Sequence, residues 1–205
     1  MYRLIWRIHE LPRVNLITLP TPLEKAVNLS REYGVELYVK RDDVMELAFG
    51  GNKVRKLEFI FGEVLSKGYN VVITRGSYYS NHVRLTAAAA RKYGLDVYIV
   101  TYPPRAGVEK LVQGNILLYR IFGAHVVEVA DSSKADEKMV ELKDDLEGQG
   151  FKPYIIPVYS VNGPATISCS PSTMSKGNLP EDINIATKKT IAARGFNNIP
   201  GIFCA

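Results

Sequence analysis

Two short stretches of the chain carry the residue types that bond-making chemistry needs. The first, Gly50-Gly51-Asn52-Lys53, lies between the acidic turn Arg41-Asp42-Asp43 and a segment of helical apolar spacing that begins near Val54. Paired glycines permit a tight backbone, and a lysine at a helix start sits in the positive end of the helix dipole. If the amine is also partly desolvated, its charged form is disfavoured relative to a free value near about 10.4. A neutral amine condenses with an aldehyde. Lysine is equally the residue of a solvated loop, and Lys53 is one of 14 lysines, so residue type alone leaves both roles open.

The second stretch, Gly76-Ser77-Tyr78-Tyr79-Ser80-Asn81-His82, follows the β-branched run 71–74 and opens an alanine-rich segment ending near Tyr93. In open α/β sheets ligands collect outside the carboxyl ends of the strands. A helix that starts there presents unpaired amides to a carboxylate or a phosphate. Ser80 and Asn81 would face such a ligand, with His82 next in line. Both Ser80 and Asn81 are also good helix caps. A dinucleotide fingerprint would place glycines at Tyr78 and Asn81, so that reading fails on the residues themselves. No HExxH, GxSxG or Walker A motif is present, and Cys169 and Cys204 have no CxxC spacing, so no metal site is expected.

The elements that position these stretches follow from periodicity. Strand candidates fall at 36–40, 71–74, 97–101, 125–129 and 154–158, with starts about one βαβ unit apart. That spacing predicts an α/β fold: a parallel sheet with helices on both faces. Val54, Leu57, Phe61 and Val64 form one helical face, and Val83, Ala87 and Ala90 a narrower one suited to close packing. Residues 107–122 are apolar almost all round. They are expected to form a helix more buried than 132–147, which turns Met139, Leu142 and Leu146 inward.

With 205 residues, 46% hydrophobic and 23% charged, the chain has the composition of a folded globular protein. The net charge of +5 divides into +3 over residues 1–158 and +2 over 159–205. No run of five like charges occurs, so nucleic-acid binding is not expected. No apolar window approaches the roughly 18 residues of a membrane span, and Arg3, Arg7 and Arg13 interrupt the start. A soluble, cytoplasmic protein is the expectation. After Val158, Ser, Thr, Asn, Gly and Pro make up 22 of the last 47 residues, and Pro164, Pro171, Pro180 and Pro200 limit helix length. The expected division is an α/β region over 1–158, with an inner domain at about 48–158, and a poorly ordered tail over 159–205.

Leu19-Pro20-Thr21-Pro22-Leu23, Val39-Lys40-Arg41-Asp42-Asp43, Gly50-Gly51-Asn52-Lys53 with Arg55-Lys56-Leu57-Glu58, and Ser80-Asn81-His82 with Arg84 occur in this order. Over roughly residues 11–158 the chain thereby resembles the pyridoxal-phosphate family of 1-aminocyclopropane-1-carboxylate (ACC) deaminases and D-cysteine desulfhydrases. The resemblance implies the fold type II, tryptophan synthase beta-like architecture, here incomplete, with pyridoxal 5'-phosphate as cofactor. It implies that Lys53 holds the cofactor covalently and then moves a proton, that Asn81 contacts the ring hydroxyl, and that Ser80 lies near the substrate carboxylate or the moving proton. Ser80, Asn81 and His82 are the implied substrate-binding residues. The implied substrate is a small amino acid, D-cysteine or ACC, converted to ammonia and a 2-oxo acid.

Tyr79 stands where this family commonly has glutamine, which bears on the choice of amino acid. Family members also continue past the equivalent of Val158 into a glycine- and threonine-rich phosphate cup that residues 159–205 do not reproduce. Three expectations follow. The chain is the enzyme itself, or a remnant acting at most as a binding or assembly module, or a partner whose missing groups come from another chain or from exchange within a homodimer. An apolar sheet edge should then drive self-association, with a dimer as the simplest form.

Overall fold

The computed structural model describes residues 11–105 and 107–156. The chain first forms a two-stranded antiparallel ribbon, β1 (Leu23–Lys25) and β2 (Tyr38–Lys40), connected through helix α1 (Val27–Tyr33). Two 3-10 turns, Asp42–Val44 and Leu47–Phe49, lead into α2 (Lys53–Ser66). Strand and helix then alternate as β3 (Val71–Ser77), α3 (Asn81–Lys92), β4 (Asp96–Tyr102), α4 (Gly114–Ile121), β5 (His125–Glu128), α5 (Ala135–Gly148) and β6 (Pro153–Ile155).

The four later strands form one sheet in the order β5-β4-β3-β6, every pair parallel. Val71 lies opposite Asp96 and Pro153, and Tyr98 opposite His125. Because successive side chains point to opposite faces, β3 feeds two cores. Val71 and Ile73 join Val100 beneath Ala135, Met139 and Leu146 of α5. Val72, Val97 and Ile99 pack on the other side among residues of α2, α3 and α4. A strand covered on both faces reads as a continuous apolar run, which is what Val71-Val72-Ile73 shows. Leu57, Ile60, Phe61 and Val64 of α2 are fully buried, each worth roughly 1.5–3 kcal/mol over the exposed state. The small Ala87, Ala89 and Ala90 let α3 approach the sheet closely.

The α/β class and the parallel sheet are as the spacing predicts, with helices on both faces. Two details differ. The strand expected at 36–40 does not open the parallel series: its residues 38–40 pair antiparallel with β1, in a ribbon outside the sheet. The helix expected over 107–122 is confined to Gly114–Ile121: Gly107 (φ +76°) adopts left-handed backbone, and Gly114 (φ +52°) does so again where the helix begins. Only Ile116 and Tyr119 of α4 are buried, while Leu111, Val112, Leu117 and Ile121 face outward. An all-round apolar sequence does not create a second packing layer: α4 packs on one side only, chiefly against α3. The expected tail over 159–205, its boundary at 158 and the last residues of the 154–158 strand lie outside the described residues. No helix among the described residues is long and apolar enough to cross a membrane.

Candidate functional site

Several residues of the motif around Lys53 hold the scaffold together. Asp42 is buried and accepts two hydrogen bonds from Arg55, Nε at 2.8 Å and a terminal nitrogen at 2.6 Å, and a third from the Thr21 hydroxyl at 3.0 Å. This ties the turn before the glycines to the first turns of α2. Glu58, also buried, accepts Arg13 Nε at 3.0 Å and the Leu16 backbone N–H at 3.0 Å, clamping the chain at 13–16 to the same helix. Buried carboxylates with charged and backbone donors on both oxygens fix geometry firmly.

The glycine pair is dictated by space. A Cβ at Gly50 (φ +65°) would lie 2.6 Å from the Asp43 carbonyl oxygen and 2.9 Å from those of Asp42 and Met45. Gly51 N–H donates to the Asp42 carbonyl at 2.8 Å, and the Gly51 carbonyl accepts from Val54 N–H at 3.1 Å. Lys53 is therefore delivered as the first residue of α2 by a turn that only glycine completes. Its side chain is half-buried, and among the described residues no carboxylate pairs with it.

Lys56, one turn later, is 8% exposed, and burial together with the nearby Lys53 charge pushes its amine down to about 8. No anion among the described residues offsets that burial. His82 faces the same two cations. Burial first, then Lys56 and Lys53, hold its imidazole well below the ordinary range, so the ring is neutral. Nε2 lies 3.0 Å from the Thr74 hydroxyl, and Nδ1 has no partner among the described residues.

The second stretch turns at the carboxyl end of β3. Gly76 is again required: a Cβ there would lie 2.6 Å from Val83 Cγ2 and 2.9 Å from Ser80 Oγ. Ser80 caps α3, its Oγ accepting from Val83 N–H at 3.4 Å. Asn81 is the exposed first residue of α3, and its Oδ1 accepts from Asn115 Nδ2 at 2.9 Å. Tyr78 is buried with its hydroxyl 3.5 Å from Glu128, and Lys110 lies over its ring while pairing with the same carboxylate. Tyr79 is exposed, and its hydroxyl donates to the Glu109 carbonyl at 3.1 Å.

The structure thus brings Lys53 and His82 into one electrostatic neighbourhood and puts Ser80, Asn81 and His82 on a single helical turn. It separates their exposures: Asn81 is open to solvent, Ser80 half-buried and His82 enclosed. Two residues of this neighbourhood escape the sequence reading. Lys56 sits inside the quoted motif, but its burial is a tertiary fact, and its only signal is the i, i+3 spacing from Lys53 that shares a helix face. Asn115 is 34 residues from Asn81 in an apolar segment and carries no local signal.

Those residues fit an anionic aldehyde cofactor. They supply an amine at a helix start, a second buried amine lacking a counter-charge among the described residues, and an exposed amide at the sheet edge. The chain belongs to the family of pyridoxal-phosphate-dependent enzymes, whose sequence signature matches residues 14–178. It is 36% identical over 191 residues to a D-cysteine desulfhydrase of Serratia proteamaculans, covering 92% of this chain and 58% of that protein. The solved structure of an ACC deaminase homologue superposes with a TM-score of 0.70 at 35% identity, covering 96% of this chain and 55% of that one. The fold is shared with threonine deaminase isoform 2 of Solanum lycopersicum, TM-score 0.60 at 24% identity, 91% and 46% covered. The chain spans about half the length of the curated relatives it matches.

Proposed function

We propose that this chain binds pyridoxal 5'-phosphate through Lys53 and serves a deaminase or desulfhydrase reaction on a small amino acid, D-cysteine or ACC. Ammonia and a 2-oxo acid are the products, with sulfide released as well from D-cysteine. The observation that carries this reading is the pair of amines, Lys53 and Lys56, on one turn of α2 beside the exposed start of α3, with no carboxylate among the described residues to neutralise them. Proteins leave cations uncompensated in this way at functional sites more often than elsewhere. The names of the D-cysteine desulfhydrase and ACC deaminase relatives support the substrate class.

When bound, the cofactor supplies an electron sink conjugated to the substrate amine. The protein residues do the rest. Lys53 would hold the cofactor through its side-chain amine, and that amine, near Lys56 and without an ion pair among the described residues, would carry a proton to or from the substrate when it is free. Lys56 meets the phosphate charge, which its own burial leaves unanswered. Asn81 donates an N–H to the ring oxygen. Ser80, fixed as the cap of α3, keeps its hydroxyl proton available to the substrate carboxylate or to the proton in transit. His82 stays neutral behind this turn; its enclosed position suits it to support the site from within while Asn81 meets the ligand.

Borohydride reduction of the protein with pyridoxal phosphate, followed by peptide mass mapping, tests the assignment. The peptide containing Lys53 gains the mass of the reduced cofactor, and Lys53→Ala abolishes it. Labelling of another lysine, or of none, overturns the reading and leaves the remnant alternative. Sulfide release separates D-cysteine from ACC as substrate. A cytoplasmic setting and a homodimer belong to the same proposal. Exposed Leu111, Val112, Leu117 and Ile121 support self-association, and a monomer by light scattering refutes it.

A further inference from the structure

Asn81 is an amide, and an amide can offer either a donor or an acceptor. Which one it offers is decided some distance away. Asn115 Nδ2 donates to the Tyr79 backbone carbonyl at 2.6 Å and to Asn81 Oδ1 at 2.9 Å, and Asn115 Oδ1 accepts from an Arg84 terminal nitrogen at 3.1 Å. The other Arg84 terminal nitrogen donates to the Gly50 carbonyl at 3.0 Å. A guanidinium only donates and a backbone carbonyl only accepts. Arg84 therefore compels Asn115 to turn its oxygen toward the guanidinium, and the Tyr79 carbonyl compels the same orientation from the other side. The remaining Asn115 N–H then faces Asn81, which must answer with its oxygen.

We infer that Asn115 is a positioning residue that fixes the polarity of Asn81, so that Asn81 presents its NH2 group, and not its oxygen, to an anionic oxygen of the bound ligand. Arg84 is the obligate donor that sets the chain of bonds, and through Gly50 it ties that chain to the turn delivering Lys53. The brace joins the turn before α2 to α3 and α4 in one hydrogen-bonded line. Burial lowers the Arg84 guanidinium below its ordinary value without neutralising it, which keeps it a pure donor. This inference rests on the proposed contact between Asn81 and the pyridoxal ring oxygen, and it adds what makes that contact attractive instead of repulsive.

Asn115→Asp tests it. An aspartate keeps an oxygen toward Arg84 but offers only acceptors, so Asn81 must turn its NH2 to residue 115 and its oxygen to the ligand. Dissociation constants for pyridoxal phosphate and for its 3-deoxy analogue, which lacks the ring hydroxyl, are measured by fluorescence on the full chain. The variant is expected to lose roughly tenfold to hundredfold in affinity for pyridoxal phosphate, the range of one charge-assisted hydrogen bond, and to bind the deoxy analogue within about twofold of the parent. Asn115→Leu, with neither donor nor acceptor, shows a smaller loss that is again confined to the hydroxylated ligand, and it serves if the aspartate variant does not fold. Equal losses for both ligands, or no loss for either, overturn the inference. Failure of the underlying reading looks different: there the parent itself gives no borohydride label at Lys53, whatever the variants do.

Discussion

Replacing Lys56 by methionine should make the cofactor-free protein more stable, although it removes a motif residue. The amine falls from 10.5 to about 8 because it is buried and because Lys53 lies nearby. At about 1.4 kcal/mol per pH unit, that interval amounts to about 3 kcal/mol by which the native fold disfavours the ammonium. Between pH 8 and 10.5 the unfolded chain keeps the proton while the native chain has released it, so native stability rises with pH across this window. Below pH 8 both states are protonated and the penalty is present in full. Urea unfolding of the cofactor-free protein at pH 7 and at pH 10, for parent and Lys56→Met, measures this. The variant should be more stable by about 3 kcal/mol at pH 7, with the difference shrinking at pH 10. Inorganic phosphate at pH 7 should stabilise the parent more than the variant, because the anion answers a charge that only the parent has. A variant equal to or weaker than the parent at pH 7, or a stability difference that does not change with pH, would refute the view that Lys56 waits for an anion.

Two further outcomes test the scaffold. Gly76→Ala places a methyl group 2.6 Å from Val83 and 2.9 Å from Ser80 Oγ, and is expected to cost about 1–3 kcal/mol in chemical denaturation while displacing the serine that caps α3; an unchanged unfolding midpoint contradicts this. His82→Gln removes a ring that the native fold keeps neutral. As pH falls below 6.5 the unfolded parent gains a proton that the native parent refuses, so the parent should lose stability relative to the variant by about 1.4 kcal/mol per pH unit, and parallel acid-unfolding curves would exclude it.

The sheet was readable because Val71-Val72-Ile73 and Val97 to Val100 are buried on both faces, and burial on both faces leaves an unbroken apolar run. The same logic misled at 107–122, where an equally apolar run belongs to an exposed turn and a two-turn helix with one packed side. At the site, Lys53 was legible because Gly50 and Gly51 advertise the turn that places it. Lys56 was not, since its importance lies in the missing counter-charge among the described residues and in burial, neither of which is a property of the letter K. Asp42, Arg55 and Glu58 belong to the same motif as Lys53, but their oxygens and nitrogens are consumed within the scaffold. Asn115 was beyond reach, because its partners Tyr79, Asn81 and Arg84 come from another helix and the preceding turn.

The three carbonyl oxygens crowded around Gly50 leave no volume there for even one extra carbon. In a saturation mutagenesis screen this position should tolerate nothing, scoring as harshly as Lys53 while touching no reactant. On the role proposed for Lys53, intolerance in this loop has two distinct origins, steric confinement at Gly50 and reactivity three residues on, and only measurements that separate folding from turnover tell them apart.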